Sequence, residues 1–221
     1  MNVERSSLAE IRAATAIAIE NISEHDRDEM AIPSYLHANP LIRWLMWKRY
    51  DTIAAMLAGG YDKTVLEFGC GVGLFLPHLC RQYGTAYAVD LFPEYAKSLT
   101  KNKGITPRFV DTTDALGDSS LDAIVAADVL EHIEDLDQYL ALFKQKLKHG
   151  GQFVVSGPTE NFVYKLGRVV AGFGDKGDYH HTNIDKLIEE ISAAGFEPTE
   201  IKTLPFPFAP SLFKICNFKS T

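Results

Sequence analysis

Apolar side chains recur at every third or fourth position between residues 6 and 22, which gathers them on one face of a helix. The pattern predicts an amphipathic N-terminal helix. Residues 23–39 are mostly polar, and we interpret them as a loop or short turns. Pro40 suits the first turn of a helix, so a second helix is predicted from there to Leu57, ended by two glycines.

From residue 64 onward, short apolar runs alternate with helical patterns. The runs that predict strands are 64–68, 85–89, 107–110, 121–127, 152–156, 197–204 and 212–218. The helical patterns are 74–83, 93–103, 136–148 and 184–194. This alternation predicts an α/β fold, with a mostly parallel sheet that has helices on both faces. Prolines rather than a helix join the last two runs, so we expect these two strands to be antiparallel to one another.

Composition and charge narrow the function classes. The chain has 221 residues, of which 46% are hydrophobic and 23% charged, as in one elaborated globular domain. It carries 22 Lys and Arg against 29 Asp and Glu, a net charge of −7. This balance disfavours nucleic acid as a partner, because phosphates require clustered basic residues. The composition is compatible with an oligomer.

The chain shows no run of about 18 uncharged apolar residues, and its first residues are charged where a signal peptide is apolar. Cys70, Cys80 and Cys216 match neither a metal-binding spacing nor an even disulfide framework, so no metal is predicted. We expect a cytoplasmic protein. After Glu200, lysines interleave with phenylalanines, which leaves peripheral contact with a membrane surface open.

A glycine cluster follows the first predicted strand. Gly69, Gly71 and Gly73 occupy alternate positions before a helix. Glycine tolerates a positive φ and lets the backbone approach a ligand, and nucleotide-like ligands bind at such turns. A dinucleotide fingerprint has its third glycine one position later, where this chain has Leu74. Glu67, just before the loop, would repel a pyrophosphate but suits a cationic ligand.

Carboxylates follow the next three predicted strands. Asp90 ends the second strand, where a carboxylate can accept both hydroxyls of a ribose, although it also fits a helix N-cap. Asp111 ends the third and is placed to meet an adenine amino group, with Asp114 as a competing carboxylate. Asp128 follows the fourth strand and begins an acidic stretch.

Together these segments resemble the class I S-adenosylmethionine-dependent methyltransferases. VLEFGCGVG looks like the family's first motif, AVD like its second, and DSSLDAIVAADVLEHIED like its fourth. LKHGGQFVVSGP is similar to the helix, turn and strand that follow. DVLEHIED is most similar to the group that includes ubiquinone and menaquinone biosynthesis methyltransferases. The resemblance spans roughly residues 60–218 and implies a Rossmann-like, seven-stranded sheet with an antiparallel last strand, and S-adenosylmethionine as the cofactor.

The resemblance also implies roles for the residues of the glycine loop. Glu67, Gly69 and Gly71 would form the wall around the methionyl part of the cofactor, with Cys70 in the same loop. Gly73 would allow the close turn into the helix. Catalysis then consists mainly of aligning the acceptor atom with the methyl carbon and the departing sulfur.

The later motifs would hold the rest of the cofactor. By resemblance, Asp90 would bind the ribose hydroxyls, and Leu91 would lie beside the adenine, which Asp111 and Thr112 would face. The pair Asp128-Val129 would lie near the sulfur and the methionine amine.

Histidines are the main candidates for a general base. His132 follows the fourth strand on the rim that faces the methyl group, where it also fits a structural role bonded to Asp135. His180 and His181 precede a predicted helix that Thr182 or Asn183 can cap. Adjacent side chains point in different directions, so at most one of these two histidines faces the site. Asp128 is a further candidate.

The sequence predicts an N-terminal helical cap over residues 1–60 and a cofactor-binding domain over 61–221, with a lid inserted at about 158–181. The apolar segments 41–50 and 162–174 and the phenylalanines of the tail either pack against the sheet or a second subunit, or form a pocket for a lipid-like acceptor. The leading hypothesis is methylation of a small or lipid-like acceptor, with oxygen favoured as the methylated atom and carbon and nitrogen left open. A nicotinamide-dependent oxidoreductase and a non-catalytic protein of the same fold are the alternatives.

Overall fold

The computed structural model describes residues 2–20, 22–159, 182–206 and 211–221. The helices in this part of the chain are α1 (Leu8–Thr15), α2 (Glu24–Glu29), α3 (Ile32–Leu36), α4 (Pro40–Met56), α5 (Leu76–Gln82), α6 (Glu94–Lys103), α7 (Leu136–Lys146) and α8 (Ile184–Ala193). The strands are β1 (Gly60–Phe68), β2 (Tyr83–Val89), β3 (Arg108–Phe109), β4 (Leu121–Ala127), β5 (Leu147–Pro158), β6 (Phe196–Leu204) and β7 (Phe213–Ser220). None of the helices in these ranges is long and apolar enough to cross a membrane.

The strands form one seven-stranded sheet in the order β3-β2-β1-β4-β5-β7-β6. β1 through β5 pair in parallel, and β7 is antiparallel to both of its neighbours, β5 and β6. The α/β fold class and the antiparallel pairing of the last two strands are confirmed. The chain proceeds from β1 outward to β3 and then returns to the other side of β1 with β4. This reversal creates a crevice beyond the carboxyl ends of β1 and β4, where α/β proteins bind ligands.

Alternate residues of the central strands enter two separate cores, as expected for a sheet with both faces covered. Val65 of β1 and Val125 of β4 pack under α1, α3, α4, α5 and α6. Their neighbours Leu66 and Ile124 pack on the other face, under α7 and α8. Both faces of the sheet are therefore fixed, and so is the position of the strand ends that carry the site.

The N-terminal region differs in detail from its sequence pattern. The first helix ends at Thr15 rather than near residue 22, and Ile17 beyond it is 38% exposed. The segment predicted as a loop or short turns holds two short helices, α2 and α3. Helices of six and five residues are too short to show a period of their own. Ser23 starts α2 through a capping box with Asp26.

The predicted extension of the helix before β5 to residue 148 is wrong, because the backbone becomes extended at Leu147. The Lys148 ammonium instead contacts the Asp122 carboxylate at 2.8 Å. At the N-terminus of α8, Asn183 accepts hydrogen bonds from two backbone N–H groups, so the predicted cap is confirmed.

Helix α4 runs from the carboxyl edge of the sheet, where the parallel strands end, to the amino edge. Its last turn is fixed by Gln152 of β5, which pairs with Ala123 near the start of β4. The Gln152 amide donates to the Met56 carbonyl at 2.8 Å and accepts from the Ala58 N–H at 2.7 Å. The helix packs across β5, β6 and β7. The first half of α4 therefore reaches the carboxyl edge.

Candidate functional site

The glycine loop takes a conformation that other residues adopt only with strain. Gly69, Gly71 and Gly73 have φ values of +70°, +52° and +75°. The N–H groups of Gly69 and Cys70 both donate to the Val89 carbonyl, at 2.9 and 3.2 Å, and tie the loop to the end of β2. The loop is thus held at the crevice between β1 and β4.

Two of these glycines also allow close packing. A methyl group on Gly73 would lie 2.8 Å from Cβ of Ala96, so glycine lets α6 approach the loop. A methyl group on Gly69 would overlap the side chain of Val129, which follows β4. Gly69 and Val129, each predicted to line the cofactor site, therefore lie against each other, and the loop is enclosed from two sides.

Asp90 joins the loop to the end of β2 through its side chain. Its carboxylate accepts from the Gly71 N–H at 2.6 Å and from the Phe92 N–H at 2.9 Å. Burial raises the pKa of Asp90. A carboxylate has about four lone-pair sites, so acceptor capacity remains for a hydroxyl donor such as that of a ribose. Next to it, the Leu91 side chain is 91% exposed and is therefore accessible to a ligand.

Glu67 lies beneath the loop and is 1% exposed. Its Oε2 atom has no hydrogen-bond partner within the described ranges. Burial and the nearby Asp90 raise the pKa of Glu67 well above its ordinary value. A buried carboxyl oxygen that lacks a partner is costly unless a cation approaches it, which fits the positively charged cofactor that the sequence implies.

Asp128 is held at the end of β4 by three groups. The residue has a φ of +54°, and its carboxylate forms an ion pair with the guanidinium of Arg49 on α4. Its Oδ1 accepts from the Ser156 hydroxyl at 2.6 Å, and its backbone N–H donates to the Ser156 carbonyl at 3.0 Å. Arg49 in turn donates from Nη2 to the hydroxyl of Tyr35 at 3.2 Å.

Sequence reasoning missed Arg49 and Tyr35 as site residues. Arg49 is 2% exposed, as is Tyr35. A signal was present in the sequence, since Arg49 shares a buried helix face with Met46, Tyr50 and Ile53 and an unpaired charge is rarely placed there. The pattern indicated a buried charge but not its partner.

A cavity of about 50 Å³ lies between the glycine loop and the N-terminal helices. The loop side contributes Gly69 through Val72, Leu74, Ala127 and Asp128. The opposite wall contributes Met30, Ala31, Tyr35, Arg49 and Tyr50. This volume suits only one end of a nucleoside-sized ligand. The cavity brings opposite charges, Arg49 and Asp128, to the loop that the sequence predicted.

The remaining predicted residues have different positions. Asp111 and Thr112 are exposed after β3. Just before them, the Val110 N–H donates a hydrogen bond to the Ala88 carbonyl of β2 at 3.0 Å. His132 is half-buried in a single 3₁₀ turn after β4. His180 and His181 lie outside the described residues. The roles of all these side chains toward a ligand stay predictions.

Comparison with known proteins supports this architecture. A family model described as a methyltransferase domain matches residues 41–201. A ubiquinone biosynthesis O-methyltransferase of Rickettsia canadensis (strain McKiel) is 27% identical over 168 residues, which are 69% of this chain and 70% of the relative.

Two solved structures show the same fold. The N-methyltransferase NodS from Bradyrhizobium japonicum WM9, in complex with S-adenosylhomocysteine, is 18% identical with a TM-score of 0.63, covering 89% of this chain and 96% of its own. The geranyl diphosphate C-methyltransferase from Streptomyces coelicolor A3(2) is 15% identical with a TM-score of 0.63, covering 95% and 87%. Matched over most of its length by the family model, with the glycine loop and Asp90 in place, the chain belongs to the class I S-adenosylmethionine-dependent methyltransferases, and S-adenosylmethionine is its cofactor.

Proposed function

We propose that this protein transfers the methyl group of S-adenosylmethionine to an oxygen atom of a small, lipid-like acceptor. The observation that carries the cofactor part of the proposal is the pair of opposite charges, Arg49 and Asp128, in the cavity that the glycine loop borders. The name of the Rickettsia relative, an O-methyltransferase of ubiquinone biosynthesis, supports oxygen as the methylated atom.

The chemistry of the cofactor matches the charges of the cavity. The methionyl end of S-adenosylmethionine carries a carboxylate and an ammonium group. Arg49 supplies a guanidinium for the carboxylate, and Asp128 supplies a carboxylate for the ammonium. Asp90 holds the ribose hydroxyls, and Leu91 covers one face of the adenine. Asp111 and Thr112, which are exposed after β3, stay candidates for the adenine amino group.

When bound, the cofactor supplies an electrophilic methyl group on a sulfonium that leaves as a neutral thioether. The protein's part is to hold the acceptor oxygen in line with that methyl group, which can contribute about 7–11 kcal/mol. A hydroxyl acceptor also gives up a proton. His132 on the turn after β4 is our first candidate to receive it, with Asp128, His180 and His181 as alternatives.

Exposed apolar side chains near the carboxyl edge support a lipid-like acceptor. Leu41 and Trp44 in the first half of α4 are 70% and 37% exposed, and Phe206 after β6 is 48% exposed. Other aromatic residues of these segments, such as Trp47 and Phe213, are buried in the core and have a structural role. In the proposed enzyme, residues 1–60 form a cap over the cofactor. The predicted lid at about 158–181 lies, beyond residue 159, outside the described residues and stays a prediction. Peripheral membrane contact and an oligomer stay predictions.

A binding experiment tests the cofactor site first. S-adenosylhomocysteine is titrated into the protein by calorimetry, with NADH as the comparator. We expect binding of the first and none of the second, and loss of binding in Asp90→Ala but not in Asp62→Ala, whose carboxylate is exposed at the amino edge. Binding of NADH alone would favour an oxidoreductase and would remove every role assigned above.

A turnover experiment tests the acceptor. The protein is incubated with S-adenosylmethionine and a phenol that carries an isoprenoid chain, and in parallel with the same phenol without the chain. We expect an O-methyl ether, identified by mass spectrometry, to form faster with the prenylated phenol. His132→Gln is expected to lower kcat and leave the affinity for S-adenosylhomocysteine unchanged. Methylation at carbon or nitrogen would overturn the choice of oxygen, and cofactor binding without any product would favour a non-catalytic protein.

A further inference from the structure

We propose that Tyr35 is a positioning residue that orients Arg49 toward the amino-acid end of the cofactor. The proposal rests on the proposed function, since it assumes that the cavity between the glycine loop and the N-terminal helices receives that end. It adds a specific task for α3, a helix of five residues in a part of the chain where the sequence predicted no ligand contact.

The nitrogen atoms of Arg49 have different partners, and this decides what the guanidinium can do. Its Nη1 contacts the Asp128 carboxylate, and its Nη2 donates to the Tyr35 hydroxyl at 3.2 Å. Its Nε is buried and has no hydrogen-bond partner in the described parts of the chain. Two directions of the planar group are thus fixed, and donors remain for a third partner. Arginine presents five N–H donors in a rigid fork, which matches a carboxylate.

Two aromatic rings of the described residues also face the guanidinium. Its central carbon lies 5.0 Å from the ring centre of Phe213 and 5.9 Å from that of Tyr50. Rings attract a cation but do not fix its rotation in their plane, because they offer no directional acceptor. When the cofactor's ammonium group binds Asp128, it competes with Arg49 for that carboxylate. The Tyr35 oxygen is then the hydrogen-bond acceptor that holds the guanidinium in place.

Tyr35 itself is packed firmly enough to serve as a reference point. Its ring meets Trp47 edge-on at 5.5 Å and stacks on Tyr50 at 6.0 Å with an interplanar angle of 10°. Tyr50 stacks in turn on Phe75 at 4.9 Å, at the start of α5. The phenol is therefore anchored to the element that follows the glycine loop.

The state of the phenol argues for positioning rather than proton transfer. Burial raises the pKa of Tyr35 and also that of Tyr50. Both hydroxyls are therefore neutral at physiological pH, so neither is suited to take a proton from an acceptor. A neutral hydroxyl beside a guanidinium accepts a charge-assisted hydrogen bond, which is stronger than a bond between neutral groups.

The test compares two ligands that differ only at the amino-acid end. S-adenosylhomocysteine carries the carboxylate and the ammonium group, whereas 5′-methylthioadenosine keeps the adenosine and the sulfur but has neither. Both are titrated by calorimetry into the wild type and into Tyr35→Phe, which keeps the ring and removes the hydroxyl. We expect the Kd for S-adenosylhomocysteine to rise about ten-fold and the Kd for 5′-methylthioadenosine to stay unchanged.

Two controls separate positioning from a general loss of structure. Tyr83→Phe removes a hydroxyl that is equally buried but lies at the amino end of β2, and it is expected to change neither Kd. In an Arg49→Lys background, Tyr35→Phe is expected to cause no further loss, because the fork that it orients is gone.

The possible results distinguish three cases. A selective loss for S-adenosylhomocysteine supports the proposal. If Tyr35→Phe binds both ligands equally more weakly, or binds both with wild-type affinity, the proposal for Tyr35 is overturned. The assignment of the cofactor site is not affected by either result. If the wild-type protein binds neither ligand, the proposed function itself fails. This failure is distinct from failure of the Tyr35 proposal, because it is seen in the wild type without any variant.

Discussion

The guanidinium of Arg49 and the carboxylate of Asp128 form an ion pair between α4 and the end of β4. The Arg49 side chain is 3% exposed and that of Asp128 17% exposed. The contact joins the N-terminal helices to the carboxyl edge of the sheet, beside the glycine loop. The ion pair also lies where the zwitterionic end of the cofactor is proposed to bind. The same two charges therefore contribute both to the stability of the fold and to cofactor binding.

Replacing Arg49 by Met leaves Asp128 without its cation. Breaking a buried pair by removing one partner typically lowers the free energy of unfolding by about 3–5 kcal/mol, and the partial exposure of Asp128 places this variant at the lower end. Adding Asp128→Asn removes the stranded charge and is expected to restore part of the stability. Urea unfolding of both single variants and of the double variant gives the coupling energy. Strictly additive losses would mean that the two charges do not interact.

Ser156 is predicted to set the direction of the Asp128 carboxylate. Its hydroxyl is buried and donates to Asp128 Oδ1 at 2.6 Å, and a hydrogen bond to a charged group contributes about 1.5–3 kcal/mol. Ser156→Ala is therefore expected to weaken S-adenosylhomocysteine binding about ten-fold. The control is Ser120→Ala, which removes a hydroxyl that donates at the same distance to Gly117 on the surface. Equal affinities of the two variants would contradict a role of Ser156 at the site.

Glu67 is predicted to make the stability of the free protein fall with rising pH. Its pKa in the folded protein is raised above the ordinary glutamate value of about 4.3, so the folded state keeps this proton to higher pH than the unfolded chain does. Where the folded state binds more protons, stability decreases as pH increases. The loss begins near pH 4.3 and ends once pH exceeds the raised pKa.

Glu67→Gln removes this titration. We expect the stability difference between variant and wild type to grow in favour of the variant as pH rises from about 4. The amide also changes the stability by an amount independent of pH, so the slope of the difference is the quantity to measure. Urea unfolding at several pH values checks it, with Glu197→Gln at an exposed position as the control. Parallel pH curves for Glu67→Gln and wild type would show that Glu67 does not titrate abnormally.

The sequence was sufficient for those parts of the site that are local in the chain. The glycine loop and Asp90 were found because each follows an apolar strand and precedes a helix, an order that can be recognised in the sequence itself. Arg49 and Tyr35 were missed because their contact with Asp128 depends on the direction in which α4 packs across the sheet. Hydrophobic periodicity shows which face of a helix is buried but not what it meets there.

The same distinction applies to the fold. The seven strands were predicted because each shows an apolar run bounded by polar residues or turns, whereas α2 and α3 were not, since helices of this length are stabilised by capping and packing rather than by a repeating pattern. The helix before β5 was predicted to continue to Lys148, two residues beyond its end at Lys146. Only the structure shows that the Lys148 side chain meets Asp122 on β4.

Gly73 and Gly104 separate backbone strain from crowding. Both have a positive φ, +75° and +65°. A methyl group on Gly104, after α6, would meet nothing within 4 Å, whereas one on Gly73 would lie 2.8 Å from Cβ of Ala96. The left-handed conformation disfavours alanine at both positions by about 1–2 kcal/mol. Crowding at Gly73 adds roughly 1–3 kcal/mol, so we expect Gly73→Ala to be clearly the less stable variant in urea unfolding.

A second substitution tests whether the crowding is correctly identified. Ala96→Gly removes the methyl group that the new side chain on Gly73 would meet, at a cost of about 1 kcal/mol for a glycine inside α6. If the two methyl groups collide, the double variant Gly73→Ala/Ala96→Gly is less destabilised than the sum of its single variants. The closest steric contact then disappears, while the backbone strain and the contacts with the Ala96 Cα at 3.0 Å and Leu76 Cδ1 at 3.1 Å remain. Additive losses would mean that α6 moves aside, and that the spacing between helix and loop does not require a glycine at this position.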